Sequence, residues 1–332
     1  MMKNEKERNN VMGVIHFLNV NEGDCTWIQH PSGHNTVIDV SNGNANTNLN
    51  EVYKTFELGN HNQKAHPVDP IIYFKGFNVS TIFRFILTHP DMDHMDGIEN
   101  LFSQFEVLNF WDTDNNKKMV EKTDWGRYRK EDWDFYQKIR KSDSEPKVLH
   151  LLAGSYGQYY NKDEDGNLGA DGLYILAPTS QLVNEANKSG NYNDCSYVIL
   201  YRVGNKKIIF AGDSEEKTWD YILENHKEDV IDIDILIAPH HGRKTGGNQD
   251  YLDVLKPKLT LFGNAKSEYL DYDAWNRRRL DHITNNQAGC IILDTNSNEI
   301  DVYVTYNVFA QKRNKDTWKN KEYNAWYIKT IY

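Results

Sequence analysis

Between positions 89 and 94 the chain carries four potential metal ligands. They are His89, Asp91, Asp93 and His94. Alternate residues that follow a strand converge on one side, whereas the adjacent Asp93 and His94 turn towards a neighbouring position. Imidazole nitrogens and carboxylate oxygens are ligands for Zn, Mn and Fe, and a two-metal centre needs ligands on both flanks of a shared position. This spacing therefore predicts a site for two divalent metal ions.

Two later segments supply further candidate ligands. Asp213 follows an apolar run at 208–211, so it lies at the end of a predicted strand, where a lone carboxylate can bridge two ions. His240 and His241 follow a second apolar run at 234–238. We predict His240 as the ligand of this pair, and His241 is equally within reach. The predicted metal ligands are thus His89, Asp91, Asp93, His94, Asp213 and His240, with Asp93 and Asp213 as the catalytic carboxylates.

The hydrophobic pattern predicts the elements that position these residues. A run at 81–88 has the composition of a buried strand and leads directly into His89. Three short β-rich runs near the start are separated by Gly and Pro turn signals, which predicts an antiparallel meander at 14–19, 25–29 and 36–40. Strand and helix patterns then alternate. The order predicts an α/β fold in which two β-sheets are flanked by helices.

We expect a single domain over 11–306, with a helix at 46–58. The stretch at 111–168 is crowded with charged and aromatic residues and has no clear periodicity, so we interpret it as an inserted cap or lid. Residues 307–332 are predicted to form a C-terminal extension. The cap is the segment expected to decide the substrate.

The composition restricts the class of protein. The chain has 332 residues, 39% of them hydrophobic, which favours a packed globular fold. Its net charge of −10 argues against non-specific coating of nucleic acid, although bound divalent cations can attract a nucleic-acid substrate locally. The three cysteines form no C-x-x-C pair, and we expect buried thiols. No run of 18 apolar residues and no apolar leader is present, so we expect a cytoplasmic protein without membrane contact.

Taken in order, the motifs resemble those of the metallo-β-lactamase superfamily and, within it, the metallo-hydrolase domain of the ComEC/Rec2 competence proteins. Residues 87–97 are similar to that group's Ser-His-Pro-Asp-x-Asp-His-x-x-Gly motif, and 238–242 to its Pro-His-His-Gly motif. Further matches lie at 14–24, 37–39, 193–198 and 210–213. The resemblance covers 14–110 and 172–295. It implies an αββα sandwich and a nucleic acid or another phosphodiester as substrate.

The chain departs from many of these relatives at one of the two metal positions. The relatives have His where Asp91 stands and another His near 193–196. Asp194 is a candidate replacement for that second ligand. The larger share of oxygen ligands extends the expected metal from Zn to Mn. Arg243 and Lys244 stand where relatives have Ser, and either cation would suit an anionic substrate.

These observations predict a metal-dependent hydrolase, in first place a phosphodiesterase or nuclease that uses a hydroxide held between two divalent ions. The alternative is a protein of the same fold with weak or absent catalysis, which binds a protein partner through the insert or the C-terminal tail. A third interpretation is a nucleic-acid-binding module based on the basic stretches at 312–321 and 277–279. Metal content and phosphodiesterase activity would discriminate the first two.

Overall fold

The computed structural model describes residues 13–44, 61–120, 124–163, 165–244, 249–296 and 298–332. The helix predicted at 46–58 lies outside the described residues. The strands found in the described ranges are β1 (Gly13–Phe17), β2 (Thr26–Gln29), β3 (Asn35–Ile38), β4 (Thr81–Ile86), β5 (Glu106–Trp111), β6 (Lys147–Leu149), β7 (Leu173–Ala177), β8 (Val198–Val203), β9 (Lys206–Phe210), β10 (Ile235–Ile237), β11 (Leu259–Phe262), β12 (His282–Thr284), β13 (Ile291–Thr295), β14 (Ile300–Val304), β15 (Lys319–Asn320) and β16 (Ala325–Ile331). The α-helices in the same ranges are α1 (Pro70–Gly76), α2 (Ile98–Gln104), α3 (Lys130–Ile139), α4 (Ser180–Ser189), α5 (Glu216–Asn225), α6 (Lys227–Val230), α7 (Tyr251–Leu255), α8 (Tyr272–Arg278), α9 (Asn285–Ala288) and α10 (Asn307–Arg313).

The described strands form two mixed sheets. The first has the order β15-β16-β14-β13-β1-β2-β3-β4-β5-β6, and the second has the order β12-β11-β10-β9-β8-β7. In the first sheet, β3, β4, β5 and β6 run parallel, whereas its remaining neighbours are antiparallel. In the second sheet, β9 to β12 are parallel. Parallel strands present their carboxyl ends at one edge, and this is the edge where the candidate ligands lie.

A buried apolar layer separates the two sheets. Ile28 and Ile86 of the first sheet belong to the same cluster as Ile199 and Ile208 of the second. The outer face of each sheet is covered by helices: Phe74 of α1 packs in the cluster on the first sheet, and helices α5, α7 and α8 cover the second. Strands β10 and β11 are buried throughout, as expected for parallel strands covered on both faces. The predicted α/β architecture of two sheets flanked by helices is confirmed.

The segment predicted to be a cap divides into two parts. Strand β6 pairs in parallel with β5, and Trp133 and Tyr136 of α3 are buried in the cluster on the first sheet. Residues 130–149 therefore lie in the body of the fold. The N-terminal part of the segment differs, because Lys117 contacts Asp91 in the candidate ligand group. The loop that follows β5 is thus the part of the segment that reaches the site.

Residues 307–332 extend the first sheet. Helix α10 leads into β15 and β16, and β16 pairs antiparallel with β14. The basic residues Arg313 and Lys329 both contact Asp281. The chain end is therefore packed against the main body, and part of its positive charge is paired. Within the described ranges, no helix combines the length and apolar character needed to cross a lipid bilayer.

Candidate metal centre

Three strand exits bring the ligand candidates to one edge of the molecule. Strand β4 ends at Ile86, shortly before His89, and a 3-10 turn at Met92–His94 reverses the chain. Asp213 follows β9, and its backbone N–H bonds Ser196 Oγ at 3.2 Å. The two histidines after β10 lie in a 3-10 turn at Pro239–Gly242. Each candidate is thus attached to a strand whose position is fixed by its neighbours in the sheet.

The Asp213 carboxylate lies between two groups of side chains. Its Oδ2 atom is 3.8 Å from His89 Nε2 and 3.5 Å from His240 Nε2. Asp91 joins this group because its Oδ2 is 3.8 Å from His89 Nε2. We call His89, Asp91, His240 and Asp213 Oδ2 the first position. It contains Asp91, the aspartate at the place where the resemblance implies a histidine in many relatives.

The other oxygen of Asp213 faces the second group. Asp213 Oδ1 is 3.2 Å from His94 Nε2 and 3.5 Å from His241 Nε2. His241 Nε2 is also 3.7 Å from Asp93 Oδ2. We call Asp93, His94, His241 and Asp213 Oδ1 the second position. A carboxylate that directs one oxygen to each of two ligand groups has the geometry expected of a bridge between two ions.

Several buried polar atoms at this edge have no hydrogen-bonding partner among the residues that the structure describes. They are His89 Nε2, His94 Nε2, His241 Nε2 and Asp213 Oδ1. Polar atoms that are removed from water normally gain a hydrogen bond, because burial without one costs free energy. Divalent cations at the two positions would satisfy all of these atoms. The set of imidazole nitrogens and carboxylate oxygens fits Zn or Mn, so the residues present suit a pair of divalent ions.

The opposite ring nitrogens are fixed by hydrogen bonds. His94 Nδ1 donates to Asp39 Oδ2 at 2.7 Å, and His241 Nδ1 donates to Asp24 Oδ1 at 3.1 Å. Carboxylates accept only, so the neutral form of each ring carries its proton on Nδ1 and presents the Nε2 lone pair to the ligand group. Asp39 also accepts from the Thr88 backbone N–H at 2.7 Å and the Thr88 hydroxyl at 2.6 Å. Asp24 and Asp39 thus fix the orientation of the two imidazole rings.

The electrostatics of the site favour a cation. Burial alone would lower the pKa of His94, but the carboxylates of Asp213 and Asp39 raise it well above its ordinary value. Burial likewise opposes the shift of His241, whose pKa rises to about 10 beside Asp213 and Asp24. The pKa of Asp213 lies well below its ordinary value, against burial, because His241 and His94 face it. Protons and divalent cations therefore compete for the same atoms.

The structure resolves the adjacent histidine pair into two roles. Both residues have left-handed backbones, with φ of 49° at His240 and 57° at His241. Their rings lie at 73° to each other, and they face different positions. The sequence prediction named His240 and left His241 open, whereas both reach the ligand group. Asp194, the candidate replacement ligand, instead lies near Asn191 and Lys217.

Two positively charged side chains, those of Lys117 and Arg243, lie beside the first position. Lys117 Nζ contacts Asp91 Oδ1, and Arg243 Nη1 lies 3.4 Å from His240 Nε2. Arg243 was considered from the sequence because it follows the histidine pair. Lys117 was missed, since it lies in a segment without a recognisable motif and reaches Asp91 only through the fold. The excess of basic and aromatic residues in that segment was the signal that the sequence offered.

Comparison with known proteins gives the following relatives. No protein-family model matches the chain. The chain is 20% identical over 268 residues to ComE operon protein 3 of Bacillus subtilis (strain 168), covering 77% of this chain and 29% of that protein. It therefore spans less than a third of that relative's length. Among solved structures, a metallo-β-lactamase complexed with mercaptoacetic acid is 14% identical, with a TM-score of 0.38 and coverage of 70% of this chain and 78% of that one.

A diphosphatase of the PhnP family is 11% identical, with a TM-score of 0.38 and coverage of 76% of this chain and 86% of that chain. The chain is similar to metallo-β-lactamase-fold proteins. The ComE operon protein corresponds to the ComEC/Rec2 resemblance that the order of motifs indicates.

Proposed function

We propose that this protein is a metal-dependent hydrolase that cleaves phosphodiesters, with nucleic acid as the leading substrate class. The observation that carries the proposal is the Asp213 carboxylate, which directs one oxygen to each of two groups of histidine and aspartate side chains. The unpartnered, buried ligand atoms around it support two divalent ions rather than a network of ordinary hydrogen bonds.

The proposed ligands divide evenly. The first ion would be held by His89, Asp91, Asp213 and His240, and the second by Asp93, His94, Asp213 and His241. When bound, Zn or Mn ions would activate a water molecule and neutralise the negative charge that develops during ester hydrolysis. Either metal is compatible with three carboxylates and four imidazoles.

The chain's own residues have separate roles in this proposal. Asp213 keeps the two ligand groups at a fixed separation. Asp93 is 21% exposed at its side chain, so one face of it can contact a water molecule or substrate. Although burial opposes the shift, the neighbouring imidazoles of His241 and His94 keep the pKa of Asp93 below its ordinary value. Asp93 therefore acts as an ionised acceptor that orients a water molecule or the substrate, and it does not donate a proton.

The charges beside the first position favour an anionic substrate. Lys117 contacts Asp91, and Arg243 contacts His240, so each cation touches a residue of the first position. A phosphodiester carries a negative charge at the reacting group itself, and cations placed beside it stabilise the transition state. The basic stretches at 277–279 and 312–321 support this substrate less, because Arg278 pairs with Asp253 and Arg313 with Asp281.

The experiment that tests the proposal combines metal analysis with hydrolysis. Protein purified without chelator is loaded with Zn or Mn, its metal content is measured, and it is assayed with bis(p-nitrophenyl) phosphate and with single- and double-stranded DNA. We expect about two ions per chain and activity that is lost in Asp213→Asn. The control is Asp220→Asn, because Asp220 is exposed on α5. Absent metal and absent hydrolysis would contradict the proposal and favour the interaction module.

A further inference from the structure

Lys117 reaches the candidate metal centre from a loop that the fold holds firmly. The residue follows β5, and its backbone N–H bonds Asn115 Oδ1 at 3.1 Å. Asn115 in turn donates to the Tyr136 hydroxyl at 2.9 Å, which ties the loop to α3. The loop is therefore anchored to the body of the protein immediately before Lys117.

The other side of the loop is anchored as well. The backbone N–H of Asn116 donates to Asn187 Oδ1 at 2.8 Å, and the Tyr192 hydroxyl donates to Asn116 Oδ1 at 3.0 Å. The Lys117 ammonium lies 5.3 Å from the centre of the Tyr192 ring, a distance at which a cation–π attraction orients the side chain. Asn116 and Tyr192 thus hold Lys117 over the first position.

Lys117 and a metal ion would use the same carboxylate. The ammonium contacts Asp91 Oδ1, whereas Asp91 Oδ2 faces His89 Nε2 across the first position. The Lys117 side chain is 18% exposed and that of Asp91 is 37% exposed, so both remain accessible from solvent. An ion at the first position would attract the negative charge of Asp91 and so weaken the ion pair between this carboxylate and Lys117.

The charge balance then requires a new partner for the lysine. At the first position, a divalent cation together with the charges of Lys117 and Arg243 would outweigh the carboxylates of Asp91, Asp213 and Glu215, so this side of a loaded centre would attract anions. A lysine has three N–H donors and acts as a point charge for phosphate oxygens. Because Lys117 lies beside the first position, it would lie next to a phosphate group bound at that position.

We propose that Lys117 binds a non-bridging oxygen of the substrate phosphate and that Asp91 holds this lysine in place until the ions are bound. The inference rests on the proposed phosphodiesterase function and deepens it. It assigns Lys117 two measurable effects. The lysine competes with metal for Asp91, and it adds affinity for phosphate once the metal is bound.

The test uses two binding measurements on the full chain. Affinity for Mn is measured by competition with a chelator, and affinity of the Mn-loaded protein for inorganic phosphate is measured by calorimetry. In Lys117→Met we expect Mn to bind several-fold more tightly and phosphate to bind about tenfold more weakly, as expected for one charge-assisted hydrogen bond. Lys117→Arg should retain phosphate affinity within a few-fold. Lys118→Met is the matched control, because Lys118 is exposed on the same loop.

The opposite directions of the two changes separate this role from a structural one. A lysine that only stabilised the loop would change both affinities in the same sense, and the thermal unfolding temperature would fall with them. Unchanged phosphate affinity in Lys117→Met, or no phosphate binding to the loaded wild-type protein, overturns the inference. Lysine-dependent phosphate binding without any phosphodiester hydrolysis would uphold it while refuting the proposed function.

Discussion

Replacement of Asp39 by Asn tests whether the second position binds metal through a fixed histidine tautomer. Asp39 is 1% exposed and accepts from His94 Nδ1 at 2.7 Å, as well as from the backbone and hydroxyl of Thr88. An asparagine has the same shape but only one accepting oxygen. If that oxygen stays with Thr88, the amide N–H faces His94 and moves the ring proton to Nε2, the atom that would bind the proposed ion.

The magnitude follows from the bonds that change. Loss of an outer hydrogen-bonding partner of a metal ligand costs about 10- to 100-fold in metal affinity. Loss of a buried charge-assisted hydrogen bond costs about 2 kcal/mol of unfolding free energy. We therefore expect Asp39→Asn to remain folded, with a lower unfolding midpoint, and to bind one of its two ions at least about tenfold more weakly.

The assay is metal titration followed by chemical unfolding, with Asp69→Asn as control. Asp69 is equally buried at 2% exposed, but it accepts from the backbone N–H of Ile71 at the start of α1, a role that Asn also performs. Asp69→Asn should bind both ions normally. Wild-type affinity for two ions in Asp39→Asn would refute the tautomer argument.

Three further predictions follow from the same structure. His240→Ala and His241→Ala should each reduce the metal content from about two ions per chain to about one, because the two rings serve different positions; loss of both ions in either variant, measured by elemental analysis, would contradict this division. Gly23→Ala should lower both stability and metal affinity, since Gly23 has φ of 90° and a Cβ there would lie 1.8 Å from the backbone oxygen of Asp93; a variant with unchanged unfolding midpoint would argue against the close approach. Burial lowers the pKa of His16 from 6.5 to about 4, so between these pH values the unfolded chain binds a proton that the folded chain does not bind. The free energy of unfolding therefore falls as the pH drops from about 6.5 to about 4, by up to about 3 kcal/mol. In His16→Gln this part of the pH dependence should disappear from urea unfolding curves, and an identical slope in both proteins would exclude His16 as its source.

The local parts of the site were readable from the sequence. The spacing from His89 to His94 and the position of Asp213 after an apolar run depend on residues close together in the chain, and the structure brings them together at one sheet edge. The two-sheet fold could be predicted for the same reason, since alternating strand and helix patterns are short-range signals. The strand exits needed only the rule that parallel strands end at a common edge.

The remaining parts depend on three-dimensional placement. The directions of His240 and His241 are set by two successive left-handed residues, a conformation that is uncommon for residues other than glycine. Lys117 contacts Asp91 although 26 residues separate them, and nothing in the spacing signals this pair. The interpretation of 111–168 as a cap missed that β6 and α3 complete the first sheet and its cover, because crowded charge conceals the burial of Trp133 and Tyr136.

The paired histidines after β10 link the two halves of the candidate centre mechanically. Because these neighbouring residues face different positions, the single peptide unit between them links the placement of the two imidazoles. Gly242 follows them, and any side chain there would meet the Phe262 ring at 2.5 Å, so this turn can hardly shift without disturbing the sheet beneath it. The separation of the two ions would thus be inherited from the rigid frame of the protein, and a substrate could adjust to that spacing but not change it.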